Sequence, residues 1–115
     1  MGTEKEYTKM IPIPLRNELN KDPFYKKCCI TGRIDGKIDW HHNLIFGGKQ
    51  VNEKFAILPV HSSIHQYHKG ITSKVKEKLN WIMVNRMSIE ELEKYSKAID
   101  YKELKIMLNK EYELH

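Results

Sequence analysis

The sequence lacks the long apolar runs that mark membrane proteins and secreted precursors. No stretch of its 115 residues approaches the ~20 apolar residues that a bilayer-spanning helix needs. The first six residues, MGTEKE, have no signal-peptide hydrophobic region, and Glu6 stands where a myristoylation motif requires Ser or Thr. We therefore expect a soluble cytoplasmic protein with no membrane partner.

Cysteine is equally scarce. The chain has two cysteines, Cys28 and Cys29, and they are neighbours in sequence. A bridge between adjacent cysteines is strained, so the pair provides no disulfide framework. We expect both thiols to be reduced and half-buried in a reducing compartment.

Acidic residues are outnumbered by basic ones. There are 20 Lys and Arg against 15 Asp and Glu, which gives a formal net charge of +5. This excess favours a polyanionic partner, nucleic acid before membrane, although a mildly basic enzyme has a similar balance. With 40% hydrophobic residues, the chain is long enough for one small domain that spans residues 1–115.

The local patterns predict an extended arm, then strands, then helices. Pro12 and Pro14 favour an extended or edge segment, with a short helical turn at residues 17–21. Asp35-Gly36 is a hairpin turn signal that predicts a returning strand at residues 38–45, and a second strand follows at 55–58. A helix is predicted over 61–69, ended by Gly70, and another over 71–87. Ser88 and Asp100 each begin a capping box.

Five of the six histidines fall within twenty-eight residues: His41, His42, His61, His65 and His68. Histidine is both a common metal ligand and the side chain that exchanges its proton near neutral pH. On a helix, His61 and His65 would share one face, and His41 on the preceding strand would supply a third nitrogen. His42 would then be free to act as a general base.

Neighbours on a regular strand point to opposite faces, so His41 and His42 reach one pocket only if the strand ends or twists there. The simpler alternatives are a buried histidine pair and a chance His-x-x-x-His spacing. His68 is expected to be a solvated residue at the helix end. The order strand, loop, strand and helix, with Asn52 between the histidine pairs, favours a functional site.

The stretch from Cys28 to Lys69, which contains DWHHNLIFGGKQVNEKFAILPVHSSIH, resembles the HNH endonuclease superfamily, and the Leu58-Pro59 step is similar to small phage recombination nucleases of that superfamily. The resemblance covers about forty residues. It implies an α+β fold with a ββα-metal core at residues 28–70, an N-terminal extended arm at 1–27 and a helical C-terminal part at 71–115.

Residue by residue, the resemblance implies that His42 is the general base and that His41 occupies the metal-ligand position before it. Asn52 would hold the loop and the base in place. His65 would be the ligand that closes the motif, and His61 matches a further histidine ligand of colicin-type members. Thr31 replaces the second cysteine of a zinc-binding CxxC pair, so the resemblance does not extend to a structural zinc. Asp39 is an alternative to His41 as ligand, or a partner that orients one.

These residues predict a metal-dependent endonuclease that hydrolyses phosphodiester bonds of DNA with one divalent ion: zinc, nickel, manganese or magnesium. The lysines expected to contact phosphates are Lys49, Lys54, Lys69 and Lys74. Two alternatives stay open. One is a non-catalytic module that binds metal or DNA, and the other is a phage interaction protein that retains the histidines as relics.

Overall fold

An antiparallel pair of strands from two separate parts of the chain lies at the centre of the fold. The computed structural model describes residues 11–65 and 72–113, with 65 and 113 described by their backbone alone. Strand β1 is Ile38–His42 and strand β4 is Ile57–His61. Their register places Ile38 opposite His61 and His42 opposite Ile57. A small hairpin, β2 (Ile45–Phe46) and β3 (Lys49–Gln50), lies between them in sequence.

Helices precede and follow these two strands along the chain. Among the described residues they are α1 (Ile13–Lys21), α2 (Ser62–His65), α3 (Ser73–Arg86), α4 (Ile89–Tyr95) and α5 (Tyr101–Glu113), with 3₁₀ turns at Pro23–Lys26 and Lys54–Ala56. The protein is therefore a small α+β protein, as expected. None of the helices described is long and apolar enough to cross a membrane.

The expectation of an extended N-terminal arm was wrong for its described part, in which only the helical turn predicted at residues 17–21 is confirmed, as part of a longer helix. Helix α1 begins at Ile13, with Pro12 at the N-cap and Pro14 in the first turn. Proline is tolerated there because the first N–H groups of a helix have no intrahelical partner. Arg16 N–H donates to the Pro12 carbonyl at 2.9 Å. The carboxylate of Asp22 then accepts from Phe24 N–H and begins the 3₁₀ turn.

The predicted strand at residues 38–45 is shorter than expected, and its partner is different. No strand precedes the turn at Asp35-Gly36 in the described segment 11–37. β1 ends at His42 and pairs instead with β4, which extends beyond the predicted 55–58 to His61. The reason is burial, because every residue of β4 is buried and its backbone groups need partners.

The hairpin between β2 and β3 was not predicted. Gly47 and Gly48 both have positive φ angles, 61° and 78°. Two consecutive residues with positive φ make the tight turn that best matches the twist of a two-stranded hairpin. Phe46 is fixed against Tyr95 of α4 in an edge-to-face contact at 5.1 Å. The hairpin is therefore attached to the C-terminal helices.

The starts of the C-terminal helices agree with the sequence. Ser88 and Glu91 form a complete capping box at the start of α4, and Asp100 accepts from the N–H groups of Lys102 and Glu103 before α5. Helix α3 begins at Ser73 with Thr72 as its cap. The expected helix end near His68 and Gly70 lies outside the described residues.

The sheet is covered on both faces. Leu58 and Val60 belong to the larger core, whose helical members include Leu79 and Met83 of α3. Ile57 belongs to a second cluster with Leu19, Tyr25 and the partly buried Trp40. The C-terminal helices therefore pack on one face and the N-terminal segment on the other. The end of β1, where His42 lies, is left at the edge of these packed layers.

Candidate active site at the end of strand β1

His42 and Asn52, the two residues predicted to be catalytic, are in contact. His42 is the last residue of β1 and is half-buried, whereas Asn52 is exposed in the loop after β3. The Nε2 atom of His42 lies 2.8 Å from Oδ1 of Asn52. Ten residues separate them in sequence, so the contact depends on how the intervening loop folds.

This contact determines which nitrogen of His42 carries the proton. An amide oxygen only accepts hydrogen bonds, so Nε2 of His42 is the N–H donor. In the neutral imidazole the other nitrogen, Nδ1, then has a free lone pair. His42 therefore has the form that a general base requires, with the accepting nitrogen directed away from Asn52.

Backbone hydrogen bonds close the loop that brings Asn52 to His42. Asn43 N–H donates to the Ala56 carbonyl at 2.8 Å, and Val51 N–H donates to the Leu44 carbonyl at 3.0 Å. These two bonds join the beginning of the loop to its end. Val51 is buried, and the side chain of the next residue, Asn52, is exposed at the surface beside His42.

His41 precedes His42 within β1, so the two side chains leave the strand on opposite faces. His41 is paired in register with Leu58, on the face of the larger core. It is half-buried and has interactions of its own. The strand does end at His42, as one pocket for both side chains would require. However, His41 and His42 both still belong to the strand, so their side chains have already taken opposite faces.

His61 lies at the end of β4 and not on a helix, so the predicted helical face shared with His65 does not form. Its side chain is buried, and both of its nitrogens have protein partners. Nε2 donates to the Asp35 carbonyl at 3.1 Å, and Nδ1 accepts from Ser63 N–H at 3.1 Å. The hydroxyl of Ser63 is also 2.7 Å from Nδ1.

The turn at Gly36 closes tightly over this histidine. Gly36 has a φ of 69°, and a Cβ atom at this position would lie 3.0 Å from Nε2 of His61. Glycine is needed both for the backbone conformation and for the close approach. His61 therefore fastens the loop before β1 to the end of β4.

The predicted metal ligands are not all brought together by the described residues. In the parts of the chain that the structure describes, no three His, Cys, Asp or Glu side chains are arranged to hold an ion. The side chain of His65, one of the predicted ligands, is outside the described part. Asp39, the alternative ligand, has a mostly buried carboxylate that lies 3.7 Å from Lys37 Nζ. The metal site stays a prediction.

The cysteines form a turn beside the sheet. Thr31 N–H donates to Sγ of Cys28, and Cys29 N–H donates to the Pro59 carbonyl of β4 at 2.9 Å. Burial raises the pKa of Cys28, but hydrogen bonds from Thr31 and from the backbone of His61 outweigh it, and the pKa is lowered. Burial raises the pKa of Cys29 to about 12. Both thiols are free, as the sequence predicted, but only Cys29 is half-buried as expected, whereas Cys28 is buried.

The predicted phosphate-contacting lysines differ in their surroundings. Lys49 and Lys74 are exposed. Lys54 forms an ion pair with Asp22 at 2.8 Å. The hydrogen bond from Lys54 also lowers the pKa of the Asp22 carboxyl. Lys69 lies outside the described residues. Of the predicted phosphate contacts, Lys49 and Lys74 are thus the two described lysines that have no ion pair competing with a phosphate.

Two asparagines next to the site were not singled out from the sequence. Asn43, which follows His42, donates from Nδ2 to Oδ1 of Asn80 at 3.0 Å. Asn80 lies on α3, 37 residues later in the chain. No local spacing signals this contact, because it depends on how α3 packs against the end of β1.

Comparison of the chain with protein-family models, with curated proteins and with solved structures found no match.

Proposed function

We propose that this protein is a metal-dependent endonuclease of the HNH type that hydrolyses phosphodiester bonds of DNA, with His42 as its general base. The observation that supports this most is the hydrogen bond between His42 Nε2 and Asn52 Oδ1. It pairs the two residues that the HNH resemblance implies to be catalytic. The order strand, loop, strand and helix around them is compatible with the ββα-metal core that the resemblance implies.

The proposed reaction uses the free nitrogen of His42. Nδ1 takes a proton from a water molecule as the water oxygen attacks phosphorus, and the bond from phosphorus to the 3′ oxygen breaks. The 3′ oxygen leaves with the bonding electron pair and takes a proton from solvent water. The imidazolium that forms keeps its Nε2–H bond to Asn52, and a hydrogen bond from a charged donor is stronger than one from the neutral ring. Asn52 would therefore orient the base and stabilise its protonated form.

In this proposal His41 and His65 would hold the metal ion, with Asp39 as the alternative to His41, and His41 would reach the ion only if the end of β1 twists to bring its side chain to the side of His42. A divalent ion there would supply positive charge beside the scissile phosphate. The three-imidazole set does not fit the geometry as it stands, because His61 already uses both ring nitrogens in bonds to Asp35 and Ser63. His61 would have to exchange these bonds to become a ligand.

The proposed partner, DNA, fits the net charge of +5 and the exposure of Lys49 and Lys74. Lys49 lies on the hairpin between His42 and Asn52, so a phosphate backbone at the site would pass close to it. Lysine contacts of this kind position DNA without selecting a base sequence. We therefore expect binding that weakens steeply with salt.

The experiment that tests the proposal is nicking of supercoiled plasmid by the full chain with Mg²⁺, Mn²⁺, Ni²⁺ or Zn²⁺. His42→Ala should lower the rate by ~10² to 10⁴, the usual cost of losing a general base. Asn85→Ala is the matched control, because Asn85 lies on α3 and bonds to Trp81 and Asn109 instead of the site.

Three outcomes would contradict parts of the proposal. If the wild-type protein cuts no plasmid with any of the four ions, it is not this nuclease. DNA binding without cutting would then favour the non-catalytic module. Near-normal cutting by His42→Ala would remove His42 from the mechanism and leave the function in place.

A further inference from the structure

The residue after the candidate base is anchored to the C-terminal helices. The side-chain amide of Asn43 donates to Asn80 Oδ1 at 3.0 Å and approaches Met83 Sδ at 3.5 Å. Both acceptors are on α3. A bond from the first loop residue to a helix 37 positions later ties the end of β1 to the helical part of the protein.

The backbone of Asn43 is held as well. Its N–H, which belongs to the peptide bond with His42, donates to the Ala56 carbonyl at 2.8 Å. The hydrogen bond to Asn80 fixes the Asn43 side chain, which leaves the Cα atom directly after this peptide bond. With both groups held, the end of β1 has little freedom to rotate, and the direction in which the His42 side chain leaves the strand is set.

We propose that Asn80 is a positioning residue for the base: through Asn43 it holds His42 in the orientation that cleavage requires. This proposal rests on the proposed function. His42 is then supported from two sides, by Asn52 on its ring and by Asn80 through its neighbour. Asn80 would contribute to catalysis without touching the substrate.

The surroundings of Asn80 argue against a purely packing role. The core on α3 is formed by Leu79 and Met83, which are fully buried. Asn80 is half-buried and borders an open groove of about 410 Å³ between α3 and α5. A change at Asn80 therefore has room to be accommodated, and its main loss is the bond to Asn43.

The test compares two substitutions that differ in one property. Asn80→Leu keeps the approximate size and removes the acceptor, whereas Asn80→Asp keeps an oxygen that accepts from Asn43. We expect Asn80→Leu to lower kcat roughly 10- to 100-fold, as small misplacements of reacting groups do, with KM within about 2-fold. Asn80→Asp should restore kcat to within about 3-fold of the wild type on the same argument. Asn85→Leu, on the same helix, should leave both constants unchanged.

A second readout does not depend on cleavage. In metal-free protein, ¹⁵N NMR of the His42 ring should show the Nε2–H tautomer in the wild type and in Asn80→Asp. Asn80→Leu should show mixed tautomers, because a displaced ring loses its bond to Asn52. If the wild-type protein proves not to cut DNA, the proposed function fails, and the tautomer still decides whether Asn80 positions His42.

Asn43→Ala breaks the same bond from the other side and replaces Asn80→Leu if that variant does not fold. It should cause a similar loss, and adding Asn80→Leu to it should cause little more, because the two residues act through one bond. Unchanged kcat together with an unchanged His42 tautomer in either variant would overturn the proposal. So would equal losses in Asn80→Leu and Asn80→Asp.

Discussion

Replacing His61 by alanine should destabilise the protein even when no metal ion is present. The buried ring of His61 joins the Asp35 carbonyl to the Ser63 amide. Asp35 precedes β1 in the chain, and Ser63 follows β4. A residue that served only as a metal ligand would make no such contribution to the metal-free fold. The variant therefore separates a structural role from a ligand role.

The magnitude follows from the contacts of the ring. Each of the two hydrogen bonds that the ring makes to the backbone contributes about 1 kcal/mol net to the free energy of unfolding. The ring is only 6% exposed, and burial of its carbon atoms adds about 1 kcal/mol at about 25 cal/mol per Å². The expected loss is about 3 kcal/mol, which lowers Tm by roughly 10 °C in a domain of this size.

The assay is chemical and thermal unfolding of the metal-free chain in the presence of a chelator. His42→Ala is the control, since it loses one bond to an exposed partner and should lower the free energy of unfolding by about 1 kcal/mol or less. A metal-free His61→Ala protein as stable as the wild type would refute the reasoning. A loss of stability that appeared only with Ni²⁺ would make His61 a ligand instead.

Three further predictions concern the loop, the lysines and the thiols. Asn52→Ala should lower kcat for plasmid nicking about 10-fold or more, whereas Asn52→Asp keeps an acceptor for His42 and should lose less; equal losses would separate Asn52 from the base. Lys49→Ala should reduce the log-log salt slope of duplex DNA binding by about 0.9, while Lys54→Ala, whose lysine is paired with Asp22, should leave the slope unchanged. Alkylation of the native thiols at pH 8 should be at least about 100-fold slower than in the unfolded chain, because Cys28 is buried and the pKa of Cys29 is raised to about 12. Cys29 ionises at its ordinary pKa of 9.0 in the unfolded chain and at about 12 in the folded protein. The contribution of this thiol to the free energy of unfolding is therefore complete below pH 9 and is lost as the pH rises towards 12. Rapid labelling of the folded protein would contradict the burial of Cys28 and the raised pKa of Cys29.

Features that depend on a few neighbouring residues were readable from the sequence. The capping box of Ser88 and Glu91 spans three residues, and the structure contains it. The α+β class and the order strand, loop, strand and helix follow from local composition and turn signals, and both are present. The pairing of His42 with Asn52 came from the HNH resemblance, and the structure brings these two side chains to 2.8 Å.

Features that depend on partners far apart in the chain were not readable. The turn at Asp35-Gly36 predicted a local hairpin, but β1 pairs with β4 because β4 is buried on both faces. The same pairing extends β4 to His61 and removes that residue from the helix. Proline patterns predicted an extended arm, although Pro14 is compatible with the first turn of α1.

For the candidate site, the sequence by itself determined which side chains are available: a histidine pair at a strand end, an asparagine in the following loop and two further histidines. Only the tertiary structure decided their roles in space. It directed both nitrogens of His61 to Asp35 and Ser63, and it placed Asn80 against Asn43. The physical reason is that ring orientation and hydrogen-bond partners depend on packing between distant segments, and a local sequence pattern contains no information about such contacts.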